Sequence, residues 1–275
     1  MTQDVSDAFV KQFESEVHMT FQRMGSTIRN TIRTKTGVKG TSTTFQVAGT
    51  GTAGSKNRHG QVPIMNASRT PVECTVADRY AGEYIDKLDE LKVNHDERDV
   101  ASKTVAGAMG RDVDDILLEA FDASANSNNN ATATTWTAAA APIAWMEIAG
   151  NTPLPFDGRL YFVVCWEAWG DLLDIDEFSN ADYVAGDRLW FEGVSAKKWL
   201  GFNWYPHERL DLDSGNDKKQ FLYHHDAVGH AIGADMSLDI SWQGKEQANL
   251  AVGRMSHGAV VIDDTGIIEM IYDIT

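Results

Sequence analysis

DERDVASKTVAGAMGRDVDDILLEAFDAS, residues 96–124, is the stretch from which the fold is read. Val105, Met109, Val113, Ile116, Leu117, Ala120 and Phe121 recur at spacings that put them on one face of a helix. Asp96 or Asp99 can cap its start. At the usual rise such a helix runs about 40 Å, longer than most helices of globular domains. Gly107 and Gly110 weaken it slightly and permit a bend.

On the C-terminal side the helix pattern gives way to ANSNNNATATT (125–135), a polar low-complexity break and a candidate domain boundary. LYFVVCW (160–166) is a short apolar run expected to form a buried central strand, with a helix over 167–173 and another strand over 200–205. Residues 174–185 read as acidic and turn-rich. HGAVVIDDTGIIEMIYDI (257–274) reads as a hairpin joined across Asp263–Gly266.

On the N-terminal side, residues 72–86 read as a strand or edge segment and 86–93 as a short helical patch. Residues 36–70, rich in Gly, Thr and Ser, predict a long two-stranded excursion. It goes out over Thr43–Ala48, turns in a glycine-rich tip at 49–60 and returns over Gln61–Met65. So exposed a hairpin is either disordered or supported by a partner. In residues 5–28, Phe9, Phe13, Val17, Phe21, Met24 and Ile28 form a narrow aromatic helical stripe. Either an ordinary packed helix or an arm docked on a neighbouring subunit accounts for it. Helices and strands in this order predict an α+β fold, not an alternating βαβ series.

Charge is unevenly placed. Val17 to Val72, 56 residues, contains no Asp or Glu but carries Arg23, Arg29, Arg33, Lys35, Lys39, Lys56, Arg58 and Arg69. From Glu73 onward, 15 Lys/Arg face 36 Asp/Glu, a net of −21. A basic arm on an acidic body suggests a segment that lies on the acidic surface of another copy. The overall charge of −16 argues against a dedicated nucleic-acid binder. With only Cys74 and Cys165, no disulfide framework is expected and a cytosolic setting fits. The first residues, MTQDVSDAFV, lack the features of a signal peptide, and no apolar run approaches membrane-spanning length.

Candidate chemistry is weak. Gly49, Gly51 and Gly54 satisfy GxGxxG, but the next residues, SKNRHGQVP, are not helical in pattern, so a hairpin tip is the better reading. His224, His225 and His230 cluster in sequence and raise a metal site, yet their spacing does not align them on a helix face. Asp211, Asp213, Gly215, Asn216 and Asp217 approximate a calcium loop with the glycine one position early and no closing Glu. Ser256 lies in no nucleophile elbow, and the acidic pairs Asp114–Asp115 and Asp176–Glu177 read as solvated faces. No enzyme, cofactor or metal is expected.

The order of arm, glycine-rich loop, long helix and closing strands resembles the major capsid proteins of tailed bacteriophages, with the Hong Kong 97-type fold. The resemblance is carried by FVKQFESEVHMTFQRMGSTIRNTIRTKTG (9–37) and by TPVECTVADRYAGEYIDKLDELKVNHDERDVASKTVAGAMGRDVDDILLEAF (70–121). FSNADYVAG (178–186) and KKWLGFNWY (197–205) add to it. It covers nearly the whole chain except residues 126–156.

The resemblance implies an N-terminal arm (1–35), an extended loop reaching over a neighbour (36–72) and a peripheral domain with a spine helix (73–125). An axial domain (126–228) and the peripheral domain's closing strands (229–275) complete it. It also implies pentamers and hexamers of an icosahedral head enclosing double-stranded DNA without sequence-specific contact, assembled in the host cytoplasm with a portal. Since some members carry a long N-terminal scaffolding domain, a separate scaffolding protein or a removed domain is expected here. The residues expected at contacts between subunits are Arg23, Arg29, Arg33, Lys35, Lys39, Lys56, Arg58 and Arg69 for charge, with Phe9, Phe13, Phe21 and Phe45 for burial. The alternatives are a bacterial encapsulin-like nanocompartment shell and, in another class, a metal-dependent enzyme built on His224, His225 and His230.

Overall fold

The computed structural model of the protein describes residues 25–90, 92, 96–124, 135–137, 150, 157–179, 196–212 and 217–274. The long helix is α2, Glu97–Asp122, preceded by a single turn α1, Lys87–Glu90. Of the two candidate caps, Asp96 does the capping: its Oδ1 accepts from the N–H groups of Arg98 (3.0 Å) and Asp99 (3.4 Å). Val105, Met109, Val113, Leu117, Ala120 and Phe121 are buried as the periodicity requires.

The chain divides into two compact units, one of Met1–Ser26, Asp78–Asp112 and Asp235–Ser256, the other of Thr27–Ala77, Val113–Ala234 and His257–Thr275. A four-stranded sheet has the order β1-β9-β10-β4, where β1 is Arg33–Thr36, β4 Ala77–Asp86, β9 Val228–Gln243 and β10 Ala248–Val261. Within the first unit, Ile85 of β4, Ala101 of α2 and Ala251 of β10 share one buried cluster. Gly253 of β10 lets the helix approach: a Cβ there would stand 2.6 Å from a methyl of Val105.

The second unit is built around a five-stranded sheet of order β11-β8-β5-β7-β6. Its strands are β5 (Leu160–Val164), β6 (Lys197–Trp199), β7 (Phe202–Pro206), β8 (Lys218–His224) and β11 (Ile267–Tyr272). The apolar run at 160 is the central strand, parallel to β7 and antiparallel to β8. Burial on both faces explains why its sequence does not alternate. Phe162, Trp204, Trp136 and Phe178 interlock over it, with Trp136 edge-on to both Phe162 (5.1 Å) and Trp204 (5.3 Å). The buried amide of Gln220 accepts from Trp136 Nε1 (2.8 Å) and donates to Cys165 Sγ (3.3 Å). Cys165 also caps α3, Trp166–Asp174, which continues into the short α4, Asp176–Ser179. The segment read as acidic and turn-rich therefore begins as a helical turn; residues 180–185 lie outside the described residues.

Two strand pairings differ from those expected. Outgoing β2 (Ser42–Ala48) pairs with β3 (Arg69–Thr75), Phe45 opposite Val72, and not with Gln61–Met65. The ladder takes in Pro71 opposite Gln46, which a two-stranded pair of edge strands tolerates. The closing segment is no hairpin: β10 and β11 belong to different sheets. The turn at Asp264–Gly266, closed by Asp263 accepting from Thr265 N–H (3.0 Å), redirects the chain from one sheet to the other. Finally, the stripe expected over 5–28 is not helical in its described part: Gly25 takes φ 79° and a 3-10 turn comes next at Arg29–Thr31.

Candidate inter-subunit surface

The chain is fixed over residues 27–32 before the candidate surface begins. Ile28 and Ile32 are buried, and Asp114 of α2 receives the chain just upstream. Its carboxylate accepts from the N–H groups of Thr27 (3.3 Å) and Ile28 (3.4 Å), from the Thr27 hydroxyl (3.3 Å) and from His207 Nε2 (3.2 Å). His207 Nδ1 accepts from Arg209 N–H (3.1 Å), which leaves the Nε2–H to face Asp114. The Thr31 hydroxyl meets Tyr223 (2.6 Å) and Tyr205 (3.2 Å); burial pushes both phenols well above their usual pKa, so they stay neutral. Thus the Asp114–Asp115 pair is not a solvated face. Asp115 is half-buried and holds Arg209 in a two-point bond (2.5 and 2.6 Å), but Asp114 is a buried anchor. Its position three residues before Leu117 and seven before Phe121, on the buried face, is the signal that marks it in the sequence.

From this root β1 runs parallel to β9, with Arg33 opposite Gly229 and Thr36 opposite Ile232. It is the edge of its sheet and all four of its residues are exposed. Arg33, Lys35, Lys39, Lys56, Arg58 and Arg69 are exposed, and among the described residues no carboxylate forms an ion pair with them. Lys35 Nζ instead donates to the Thr43 hydroxyl (2.6 Å) and the Thr44 carbonyl (3.3 Å). Arg29 is half-buried. Phe9, Phe13, Phe21 and Arg23 lie outside the described residues.

Phe45 is corrected by the structure. Its ring is 2% exposed and packs with Cys74 and Ala231 in its own chain, under the cations of Arg33 (5.7 Å) and Lys35 (5.9 Å). Gly229 provides the room, since a Cβ there would stand 2.7 Å from the ring. The phenyl is used at the base of the hairpin and is not available to a neighbour.

Beyond that base, Thr50 to Asn66 is exposed throughout. The two limbs still face each other, because a Cβ on Gly51 would strike Met65 and one on Gly54 would strike Pro63. Val62, Ile64 and Met65 project from the returning limb, Ile64 at 89% exposure. No helix succeeds the Gly49–Gly54 motif, so the amide-lined helix end that a pyrophosphate needs is not there.

The three histidines are drawn to different partners. His224 Nε2 faces Asp157 (3.3 Å), His225 Nδ1 faces Asp226 (3.0 Å), and His230 meets His257 (3.2 Å) inside the unit. Among the described residues no three His, Cys, Asp or Glu side chains stand where they could share a metal ion. The calcium-like run is described only at Asp211 and Asp217. Arg159 binds Asp157 (2.7 Å) and Asp226 (3.3 Å), tying the first two histidines into a charge network. Its side-chain and backbone hydrogen bonds hold Asp157 down at about 2. Burial works against ionised Asp226, but His225 and Arg159 outweigh it and keep its pKa low.

Comparison with known proteins adds to this geometry. A family model described as phage capsid protein matches residues 5–274. No curated protein matches the chain in sequence. The capsid of cyanophage P-SCSP1u is 18% identical with a TM-score of 0.74, over 100% of this chain and 96% of that one. The Mycobacterium phage Che8 structure is 14% identical with a TM-score of 0.74, over 96% and 97%. The capsid of a native GTA particle is 13% identical with a TM-score of 0.74, over 99% of each chain. The α+β architecture is therefore the Hong Kong 97-like capsid fold, and the protein is structural and not an enzyme. With a family model spanning nearly its whole length, the chain belongs to the phage capsid protein family and is a shell-forming major capsid protein of a phage head.

Proposed function

We propose that the protein builds the pentamers and hexamers of an icosahedral head around double-stranded DNA. Exposed cations of β1 and the loop make the contacts between neighbours. The observation that carries this reading is the row Arg33, Lys35, Lys39, Lys56, Arg58 and Arg69, exposed and without an ion-pair partner among the described residues, in a chain of net charge −16. A second copy supplies the missing carboxylates. Arg23 and Arg29 join this set by sequence position, and Phe9, Phe13 and Phe21 supply burial from the arm. Heterologous contacts of this kind close into rings.

In this reading residues 1–35 are the arm and 36–72 the loop over the neighbour. Residues 73–125 and 229–275 form the peripheral domain, and 126–228 the axial domain around the capsomer axis. The acidic body lines the DNA without gripping it, because like charges repel phosphate. Assembly takes place in the host cytoplasm with a separate scaffolding protein and a portal. The test replaces Arg29, Arg33 and Lys35 together with Glu and tracks particles by negative-stain electron microscopy and sedimentation velocity. Folded subunits that no longer form rings or shells support the proposal; normal shells from the triple variant overturn it.

A further inference from the structure

Among the described residues β4 is an open edge of its sheet, ten residues long, and every one of them but Ala81 and Ile85 is exposed. An edge strand presents a row of backbone donors and acceptors to any other strand, and β4 carries neither the proline nor the lysine that commonly blunts such an edge. Two contacts on one side and one on the other fix its faces. Arg79 Nε stands 3.9 Å from Asp112 of α2, and Ile85 packs with Ala101 of α2 and Ala251 of β10. Strand alternation therefore turns Arg79, Ala81, Glu83 and Ile85 toward α2. A Cβ on Gly82 would stand 3.5 Å from the Leu250 side chain, on the opposite face, which Gly82 shares with Tyr80 (69% exposed) and Tyr84 (58%).

The strand is its own complement. Arg79 and Glu83 stand at equal distances either side of Ala81, one a cation and the other an anion. Arg79 meets Asp112 only loosely, and Glu83 forms no ion pair among the described residues. Laid antiparallel to itself about Ala81, β4 sets Arg79 opposite Glu83 of a second copy, and does so twice. On the other face Tyr80 falls opposite Gly82, where a ring covers bare backbone, and Asp78 falls opposite Tyr84. Centring the pair on Gly82 instead would oppose Asp78 to Asp86, two like charges, so the register is specified. The helices fit as well. With strands about 4.8 Å apart and α2 seated over β4 and β10, the two copies of α2 come to lie about 10 Å apart, a normal packing distance.

We propose that β4 pairs with β4 of a second copy across a two-fold axis at Ala81, joining two four-stranded sheets into one. The proposal rests on the shell-forming reading above and adds a second kind of contact to it. Heterologous contacts close rings, and rings alone do not make a shell; a self-complementary contact joins one ring to the next. The occupant is a second copy because both charges on the α2 side find their opposite sign on the same ten residues.

Cysteine crosslinking in the full chain tests this. Cys74 and Cys165 are both buried, so introduced thiols report on their own. Ala81→Cys places one thiol beside the axis, and directly opposed residues of paired strands lie within disulfide reach. The double variant Asp78→Cys with Tyr84→Cys forms two bridges between the same two chains. Particles assembled under reducing conditions, checked by electron microscopy, are oxidised with copper phenanthroline and run on a non-reducing gel. Covalent dimers from most of the chains are expected for both variants, and the double variant should stop at the dimer. Intact particles that give no dimer, or a double variant that runs on into higher multimers, overturn the two-fold pairing. Charge reversal is the second measurement. Arg79→Glu alone opposes two glutamates and should lose most of the particle yield at an unchanged urea midpoint, and adding Glu83→Arg should return it. Equal yields from all three proteins overturn the register. Wild-type protein that forms no particles sinks the shell reading instead; oxidised free subunits of Ala81→Cys then decide β4, dimers upholding the pairing and monomers ending it.

Discussion

The sheet around β5 and the hairpin of β2 and β3 are both β-structure, but their residues find partners in different places. Every residue of β5 but Tyr161 is buried, whereas the hairpin buries only Phe45 and Cys74 and its loop is exposed from Thr50 to Asn66. The first is completed within one subunit. The second is held at its base and presents cations and apolar side chains outward along its length. Burial inside the subunit makes the fold; the loop buries nothing of its own, and under the proposed function a neighbour covers it.

The contrast breaks most visibly in the aromatic core. Trp204→Ala removes a fully buried ring that touches Phe162, Trp136, Phe178 and Phe202. We expect a loss of about 4 kcal/mol of subunit stability, read from the urea midpoint, because large-to-small changes leave a cavity. A loss below about 1 kcal/mol would show that this sheet is not the stable part of the molecule.

At the hairpin's base a smaller effect is expected. Gly258 of β10 lies so close to the end of β3 that an added Cβ would stand 2.0 Å from the Thr75 carbonyl oxygen. Backbone cannot swing aside as a side chain can, so Gly258→Ala should cost about 2–3 kcal/mol and loosen β3. Hydrogen exchange at Cys74 and Val76 reads the loosening directly; unchanged protection there would mean that the hairpin base is not held by β10.

The charge network beneath the five-stranded sheet gives a pH-dependent effect smaller than either. Asp157, held at about 2 by Arg159, and Asp226, also held low, have folded pKa values below the unfolded value of about 3.9. Their stabilisation is present above that unfolded value and is lost as pH falls through each folded pKa, about 2 for Asp157. Urea midpoints should therefore drop between about pH 4 and pH 2, and Arg159→Gln should flatten that drop while leaving the aromatic core intact. Equal slopes in the two proteins would remove Arg159 from the account.

Legibility in the sequence divides along the same line. The helix at 97–122 and strand β5 stand out because each carries one strong local pattern. The closing segment reads as a hairpin because β10 and β11 are adjacent in sequence, yet they are separate in space, a choice that only tertiary pairing makes. The return strand is misplaced by sequence because glycine and proline punctuate the loop without saying how long its unpaired part is. Of the candidate surface, the cations are visible as an acid-free run, but Phe45 is not separable from a surface phenylalanine until Gly229 is placed against it. Asp114 is hidden by its neighbour, since a doubled acid reads as solvated unless its helical position is weighed against Leu117 and Phe121.

The loop supplies the smallest expected effect on the subunit. Ile64 is 89% exposed in a segment with no buried neighbour from Thr50 to Asn66. Removing it from water is not part of folding, so Ile64→Ser should change subunit stability by less than about 0.5 kcal/mol. If a neighbour covers it in the shell, as the proposed function requires, that burial gains about 2 kcal/mol per copy. Dissociated subunits should thus show wild-type urea midpoints while particle yield, read by sedimentation, falls. If the midpoint falls with the yield, the loop belongs to the subunit's own fold, and the contrast between its two kinds of β-structure does not hold.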